Sequence, residues 1–97
     1  MNPKKIKIGT LNVRRMRQTQ RQQLVYNYMT EKDLDVLCLQ EVCFTDFHPD
    51  KVNYKFAVNR PGEVGGTAFV YKSKINVKNI CKGINGRVIT ADIDGIK

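Results

Sequence analysis

Apolar and polar positions change their spacing along the first part of the chain. In "KIKIGTLNV", residues 5–13, apolar residues recur at every second position with one shift of phase, which predicts a first strand. Thr19 and Gln22 then form a capping-box pair, and the apolar spacing behind them predicts a helix from about Gln20 to Lys32. This pattern assigns the following residues to the buried helix face: Leu24, Val25, Tyr28 and Met29.

The stretch "DLDVLCLQEV", residues 33–42, is a nearly continuous apolar run and predicts a second strand that is buried on both faces. A strand, a helix and a strand in this order form a βαβ unit, whose strands run parallel. The carboxyl ends of both strands therefore meet at one edge of the sheet, where open α/β sheets bind their ligands.

The second half of the chain consists of short strand patterns separated by turn residues. "YKFAV", "TAFVYKS", "INVKNI" and "RVITADID" predict strands, and "NRPGEVGG" and "KGING" predict turns. We expect an antiparallel strand meander joined to the parallel unit. The predicted fold class is α/β (α+β), in a single domain over residues 1–97.

Composition narrows the class of protein. The 97 residues are 41% hydrophobic and 27% charged, as in a small globular domain. Neither a membrane span nor a signal peptide is apparent, so we expect an intracellular protein, nuclear or cytoplasmic, that is not secreted and has no membrane partner. The odd set Cys38, Cys43 and Cys81 predicts core thiols in a reducing compartment and no disulfide partner.

The net charge of +8 is unevenly distributed. The first 32 residues carry eight Lys or Arg and one acid, whereas residues 33–50 carry five acids and no Lys or Arg. A basic chain attracts polyanions such as nucleic acid, and a local acidic spot can hold a divalent cation against a phosphate. The alternative is a solvated, lysine-rich surface.

Two polar side chains follow the first two predicted strands. Asn12 in "LNVRR" and Glu41 in "LQEV" would converge at the same sheet edge. A carboxylate beside a carboxamide suits magnesium, which keeps several waters and also binds phosphate oxygens. The alternative is an asparagine in a turn and a glutamate that faces solvent.

Arginines follow the first strand. Arg14, Arg15 and Arg17 lie between this strand and the helix, where guanidinium groups can bind DNA phosphates. Because a helix N-terminus disfavours cations, a binding role is favoured over mere solvation.

Other candidates have simpler interpretations. His48 in "DFHPD" is interpreted as a loop residue, and Asp92 and Asp94 as solvent-facing strand residues. A solvated strand and turn face is predicted for these lysines: Lys72, Lys74, Lys78 and Lys82.

Four blocks, "KIGTLNVR", "DVLCLQEV", "GGTAFVYKSKI" and "GRVITADIDG", carry a family resemblance. Together they resemble the N-terminal half of the endonuclease/exonuclease/phosphatase superfamily. They are most similar to the apurinic-type endonuclease domain of LINE-type (non-LTR) retrotransposons. The resemblance runs from Lys5 to the end of the chain.

The resemblance implies half of a four-layer α/β sandwich that hydrolyses phosphodiester bonds with a divalent metal. The metal would be magnesium, with manganese as the alternative. Asn12 matches the asparagine that orients the phosphate or the catalytic network, and Glu41 matches the metal-binding glutamate. Gln40 matches the motif without an assigned role. Arg14 stands where some repair enzymes carry an acid, which favours the retrotransposon branch.

The family's later residues, a tyrosine, an Asp-x-Asn pair and an Asp-His pair, would lie beyond Lys97. We therefore expect residues 1–97 to be a partial domain that is inactive by itself. Three functions stay open: part of a magnesium-dependent DNA endonuclease, a non-catalytic remnant or nucleic-acid-binding module, and a phosphodiesterase or phosphatase acting on lipid or inositol phosphates.

Overall fold

The computed structural model describes residues 5–14, 19–43, 53–59, 66–83 and 88–96. Its elements, in chain order, are β1 (Ile8–Asn12), α1 (Thr19–Lys32), β2 (Val36–Val42), β3 (Tyr54–Asn59), β4 (Gly66–Lys72), β5 (Ile75–Lys82) and β6 (Ile89–Ile96). Each predicted strand and the predicted helix is present, with ends shifted by up to three residues, so the α+β fold class is confirmed.

Four strands form one mixed sheet in the order β1-β2-β4-β3. β1 and β2 are parallel, with α1 as the crossover between them, which confirms the βαβ unit. β4 is antiparallel to both β2 and β3. The second half is therefore not one continuous meander, because β4 lies between β2 and β3, and β5 and β6 form a separate antiparallel ribbon.

Helix α1 covers one face of this sheet. Its buried residues are Gln22, Val25, Tyr26 and Met29. The predicted helix face is wrong in part, since Leu24 is 60% exposed and Tyr28 is 40% exposed. Apolar residues fill all but one position from Leu24 to Met29, so two neighbouring stripes have helical spacing. Contact with the sheet selects the stripe that contains Tyr26, whose ring lies 4.9 Å from the ring of Tyr54 on β3.

The ribbon packs against the opposite face of the sheet. A second core cluster joins Val36 and Tyr71 of the sheet to Ile75, the first residue of β5. Cys38 packs at the edge of this cluster, as expected of a core thiol. Cys81 lies on the outer half of β5 and is exposed, so its predicted burial is wrong.

A buried carboxylate joins three elements at the amino end of β2. Asp35 is 4% exposed and accepts a 2.8 Å hydrogen bond from the backbone N–H of Lys7. The Lys72 ammonium lies 2.8 Å from an Asp33 carboxylate oxygen and 3.4 Å from one of Asp35. Lys72 is thus an ion-pair partner and not the freely solvated residue that the sequence predicted.

Helix α1 has 14 residues, and a bilayer needs about 20 apolar residues for one span. Nowhere in the described ranges is a helix both long and apolar enough to cross a membrane.

Candidate functional site at the sheet edge

The register of β1 and β2 fixes the spatial relation of the two predicted site residues. Asn12, the last residue of β1, pairs with Gln40, the residue directly before Glu41. Beyond this pair, the backbone N–H of Val13 donates to the Gln40 carbonyl oxygen at 3.0 Å. Asn12 and Glu41 therefore lie on neighbouring strands at one sheet edge. Their roles in binding or chemistry stay predictions.

Glu41 is the extra residue of a β-bulge. Gln40 pairs with Thr67 and Val42 pairs with Gly66, which leaves Glu41 without a partner on β4. The φ angle of Glu41 is 57°, in the left-handed region that glycine usually occupies in such bulges. For a residue with a side chain this conformation costs about 1–2 kcal/mol. Backbone strain of this kind is concentrated at functional sites.

The bulge also decides which side chain of β2 enters the core. Leu37 and Leu39 lie in the helix-side core, and strict alternation would place residue 41 there next. Val42 is fully buried in this core instead, and Glu41 stays partly exposed. The extra residue thus spares a carboxylate from burial at the end of an apolar strand.

Asn12 and Arg14 form the turn that follows β1. The Oδ1 of Asn12 accepts a 2.8 Å hydrogen bond from the backbone N–H of Arg14, an Asx-type turn. Arg14 has a φ of 50°, the second left-handed residue near this edge. Both side chains are exposed. Because an amide oxygen has two lone pairs, Asn12 keeps one acceptor position for a ligand.

Several other predicted residues lie elsewhere. Arg15, Arg17 and His48 fall outside the described residues. Asp92 and Asp94 on β6 are exposed, which confirms that they face solvent. Their carboxylates contact the Asn79 amide at 2.8 Å and the Lys78 ammonium at 3.1 Å, respectively.

The described acids of the segment 33–50 lie at the two ends of β2. Asp33 and Asp35 precede β2, and Glu41 lies near its other end. At about 3.3 Å per residue, Asp35 and Glu41 are roughly 20 Å apart along the strand. Among the described residues, the acids of this segment are therefore divided between an ion-paired end at Asp33 and Asp35 and the carboxylate of Glu41, while Asp46 and Asp50 lie outside the described residues.

Sequence reasoning missed a polar row that crosses the whole sheet next to Glu41. Successive strand pairings join Asn12 to Gln40, Gln40 to Thr67, and Thr67 to Asn59. Side chains of residues that pair across strands lie on the same face. The available signals in the sequence were the Gln directly before Glu41 and the Asn two residues before the Pro61-Gly62 pair.

Asn59 connects this row to the β5–β6 ribbon. Its side chain is buried at the end of β3, and its Nδ2 donates to the Val88 carbonyl oxygen at 2.6 Å and to that of Gly83 at 3.2 Å. The Gly83 N–H also donates to the Val88 carbonyl at 2.8 Å. One amide thus links Gly83, directly after β5, and Val88, directly before β6, to the sheet edge.

A groove lies between the ribbon and the part of the row formed by Gln40 and Thr67. It has a volume of about 270 Å³, and its walls include Gln40 and Thr67 on one side and Val88 and Ile89 on the other. Gln40 and Thr67 are thus the polar residues of this groove, whose other walls are largely apolar.

The donors at this edge fit a hydrated magnesium ion. Magnesium keeps several waters and commonly uses one or two carboxylates together with substrate phosphates. Glu41 supplies one carboxylate and Asn12 one amide oxygen. Across the described parts of the chain, no three His, Cys, Asp or Glu side chains form a cluster that could enclose a metal. Among the described residues, Glu41 would thus be the only carboxylate ligand of such an ion.

Comparison with protein families gives one match. The model of the Endonuclease/Exonuclease/phosphatase family aligns with residues 9–94, which cover β1 from Gly9 onward, all of β2 and β4, and both Asn12 and Glu41. A comparison with curated proteins returned no match.

Proposed function

The chain belongs to the endonuclease/exonuclease/phosphatase family, and we propose that its sheet edge is part of the active site of a magnesium-dependent endonuclease that hydrolyses phosphodiester bonds in DNA. The observation that carries this proposal is the bulge at Glu41. It places a carboxylate on a left-handed backbone, next to the strand that ends at Asn12.

Each residue has a distinct task in this proposal. Glu41 binds the cation and Asn12 orients the phosphate through its amide. When bound, a divalent cation polarises the phosphoryl oxygen and neutralises charge that develops during hydrolysis. Arg14 binds a neighbouring backbone phosphate from the turn after β1, where its side chain is exposed.

Charge supports DNA over a lipid or an inositol phosphate. The chain carries 17 Lys and Arg against nine Asp and Glu, a balance that favours a polyanion with many phosphates. Arg14 at the position where some repair enzymes carry an acid supports the LINE-type retrotransposon branch. Manganese is the alternative cation, since it accepts the same oxygen ligands.

Nicking of supercoiled plasmid tests the proposal. Because residues 1–97 are expected to be inactive by themselves, they are fused to the second half of a domain of this family, which supplies the later tyrosine, Asp-x-Asn and Asp-His residues. The fusion is incubated with plasmid and Mg²⁺, with and without EDTA, beside its Glu41→Ala and Glu31→Ala variants. Glu31 is an exposed carboxylate on α1, so its removal changes the charge equally without touching the sheet edge. The proposal expects nicks that require both Mg²⁺ and Glu41 and that persist in Glu31→Ala.

Two results would redirect the proposal. DNA binding without metal-dependent nicks would support a non-catalytic nucleic-acid-binding module. Release of phosphate or of a head group from inositol phosphates or phospholipids, with plasmid left intact, would support the lipid or inositol phosphate alternative.

A further inference from the structure

We infer that Asn12 is a positioning residue for Arg14, because its side-chain oxygen holds the turn after β1 in the conformation from which Arg14 binds a DNA phosphate. The inference rests on the proposed function for the phosphate that Arg14 binds. It gives the amide oxygen of Asn12 a task in DNA binding that needs no cation.

The backbone of Arg14 is in a strained conformation. Its φ angle of 50° lies in the left-handed region, where a Cβ comes too close to the following carbonyl oxygen. Glycine, asparagine and aspartate are the residues that usually adopt this region, and arginine is not among them. Such a conformation persists only where the surrounding structure holds it, and it is concentrated at functional sites.

The contacts that hold this turn come from the residues just before it. Val13 is buried in the helix-side core, and its N–H donates to the Gln40 carbonyl oxygen at 3.0 Å. Arg14 is thus the first residue beyond an anchored strand. Its own N–H donates to Asn12 Oδ1 at 2.8 Å, so the Asn12 side chain closes the turn.

The side chain of Arg14 is available for a ligand. It is exposed, and in the described part of the chain no carboxylate pairs with its guanidinium, whereas Lys72 and Lys78 are both ion-paired. A guanidinium can donate two parallel hydrogen bonds to a phosphate.

The turn limits the directions that the Arg14 side chain can take. The backbone conformation of a residue fixes the direction in which its Cα–Cβ bond leaves the chain. Without the Asn12 oxygen, Arg14 would leave its strained conformation and sample other directions. The phosphate contact would then carry an additional cost of ordering, which lowers the affinity for DNA.

The experiment measures binding of the chain to a labelled DNA duplex by fluorescence anisotropy at several salt concentrations. EDTA is present throughout, so that a cation at Glu41 does not contribute. Asn12→Ala removes the acceptor of the turn, and Asn12→Ser keeps a side-chain oxygen that can close a turn of the same kind. Arg14→Ala removes the guanidinium, and a double variant combines Asn12→Ala with Arg14→Ala.

Asn27→Ala is the matched control. Asn27 is also an exposed asparagine whose Oδ1 accepts a hydrogen bond, from Gln23 at 3.0 Å, but it lies on α1.

We expect Asn12→Ala to weaken DNA binding about three- to tenfold. The slope of log K against log salt should fall by up to about 0.9, as in Arg14→Ala, because one phosphate contact is lost. The double variant should bind no more weakly than Arg14→Ala, since Asn12 acts through Arg14. Asn12→Ser and Asn27→Ala should stay close to the natural chain.

Three outcomes overturn the inference and leave the DNA contact of Arg14 intact. In the first, Arg14→Ala weakens binding and Asn12→Ala does not. In the second, Asn12→Ala weakens binding with an unchanged salt slope and adds to the effect of Arg14→Ala, which indicates that the neutral amide touches DNA directly. In the third, Asn12→Ser binds as weakly as Asn12→Ala, so the oxygen that closes the turn is not what matters.

A fourth outcome reaches the proposed function itself. If Arg14→Ala binds DNA with the affinity and the salt slope of the natural chain, Arg14 contacts no phosphate. The role given to Arg14 then fails together with this inference.

Discussion

Val42 occupies the core position that strict alternation along β2 would give to Glu41. Because Glu41 has a φ of 57°, glycine fits its backbone better than any residue with a Cβ. We expect Glu41→Gly to be about 1 kcal/mol more stable than Glu41→Ala. Urea unfolding followed by circular dichroism gives both free energies of unfolding.

Cation binding should not follow this difference in stability between the two Glu41 variants. Both Glu41 variants are expected to lose Mn²⁺ binding, measured from the electron paramagnetic resonance signal of free Mn²⁺, whereas Glu31→Ala should keep it. A Glu41→Gly chain that is no more stable than Glu41→Ala would mean that the bulge is not strained.

Asn59 should be a stability residue of the sheet edge. Its Nδ2 satisfies the carbonyl oxygens of Gly83 and Val88 from a buried position. Asn59→Ala leaves both carbonyls without that donor and should lower the free energy of unfolding by about 1–3 kcal/mol. Asn27→Ala on the exposed side of α1 is the matched control.

Hydrogen exchange locates the effect of Asn59. The Gly83 N–H, which donates to the Val88 carbonyl, should exchange faster in Asn59→Ala than in the natural chain. If its protection were unchanged, the amide of Asn59 would not be what holds Gly83 and Val88 together.

Alkaline pH should lower the free energy of unfolding of this chain through three groups. The hydrogen bond to Asp33 raises the pKa of Lys72 above its ordinary value of 10.5. Burial raises the pKa of Tyr71 above 10.0 and that of Cys38 above 9.0. A pKa raised on folding stabilises the protein below the ordinary value, and this stabilisation is lost as the pH rises through the folded value. The free energy of unfolding should therefore decline above about pH 9.

Single variants separate these contributions. Lys72→Met and Tyr71→Phe should each make the decline between about pH 9 and 12 shallower. Tyr28→Phe is the control for the tyrosine, because Tyr28 is 40% exposed on α1. An equally steep decline in Lys72→Met and in the natural chain would exclude a net contribution from the Lys72 ion pair.

The arginines after β1 should dominate DNA binding. Replacing Arg14, Arg15 and Arg17 together with Ala should weaken binding to a labelled duplex. The slope of log K against log salt should fall by up to about 3 units, since each phosphate contact contributes roughly 0.9. Fluorescence anisotropy at several salt concentrations gives both quantities.

Replacing three lysines on the ribbon side with Ala changes the net charge by the same amount as replacing the three arginines. They are Lys74, Lys78 and Lys82, all exposed. This lysine triple should change the salt slope much less than the arginine triple. Equal slopes for the two triples would show that net charge, and not the arginine positions, determines affinity.

Local patterns were sufficient for the elements of this fold. The apolar spacing of α1 and the apolar run of β2 depend on neighbours within a few residues, so they are readable without the structure. Parallel pairing of β1 and β2 followed from the short strand-helix-strand order. The placement of Asn12 and Glu41 at one edge followed from this parallel pairing.

The buried stripe of α1 was not readable in this way. Leu24 and Tyr26 are both apolar, and only Tyr26 meets a partner, the ring of Tyr54. The ion pairing of Lys72 was not readable either, because its neighbours in sequence do not indicate that the Asp33 and Asp35 carboxylates lie beside it. Partners distant in sequence decide burial and ion pairing.

The sequence by itself determined the strands, the helix, their parallel start and the placement of Asn12 and Glu41 near one sheet edge, because these depend on short-range spacing and chain direction. Only the tertiary structure decided that β4 lies between β2 and β3 and that a bulge turns Glu41 out of the core. It also decided that Gln40 and Asn59 belong to one polar row next to Glu41. These features depend on register between strands, where a shift of one residue exchanges the two faces of the sheet.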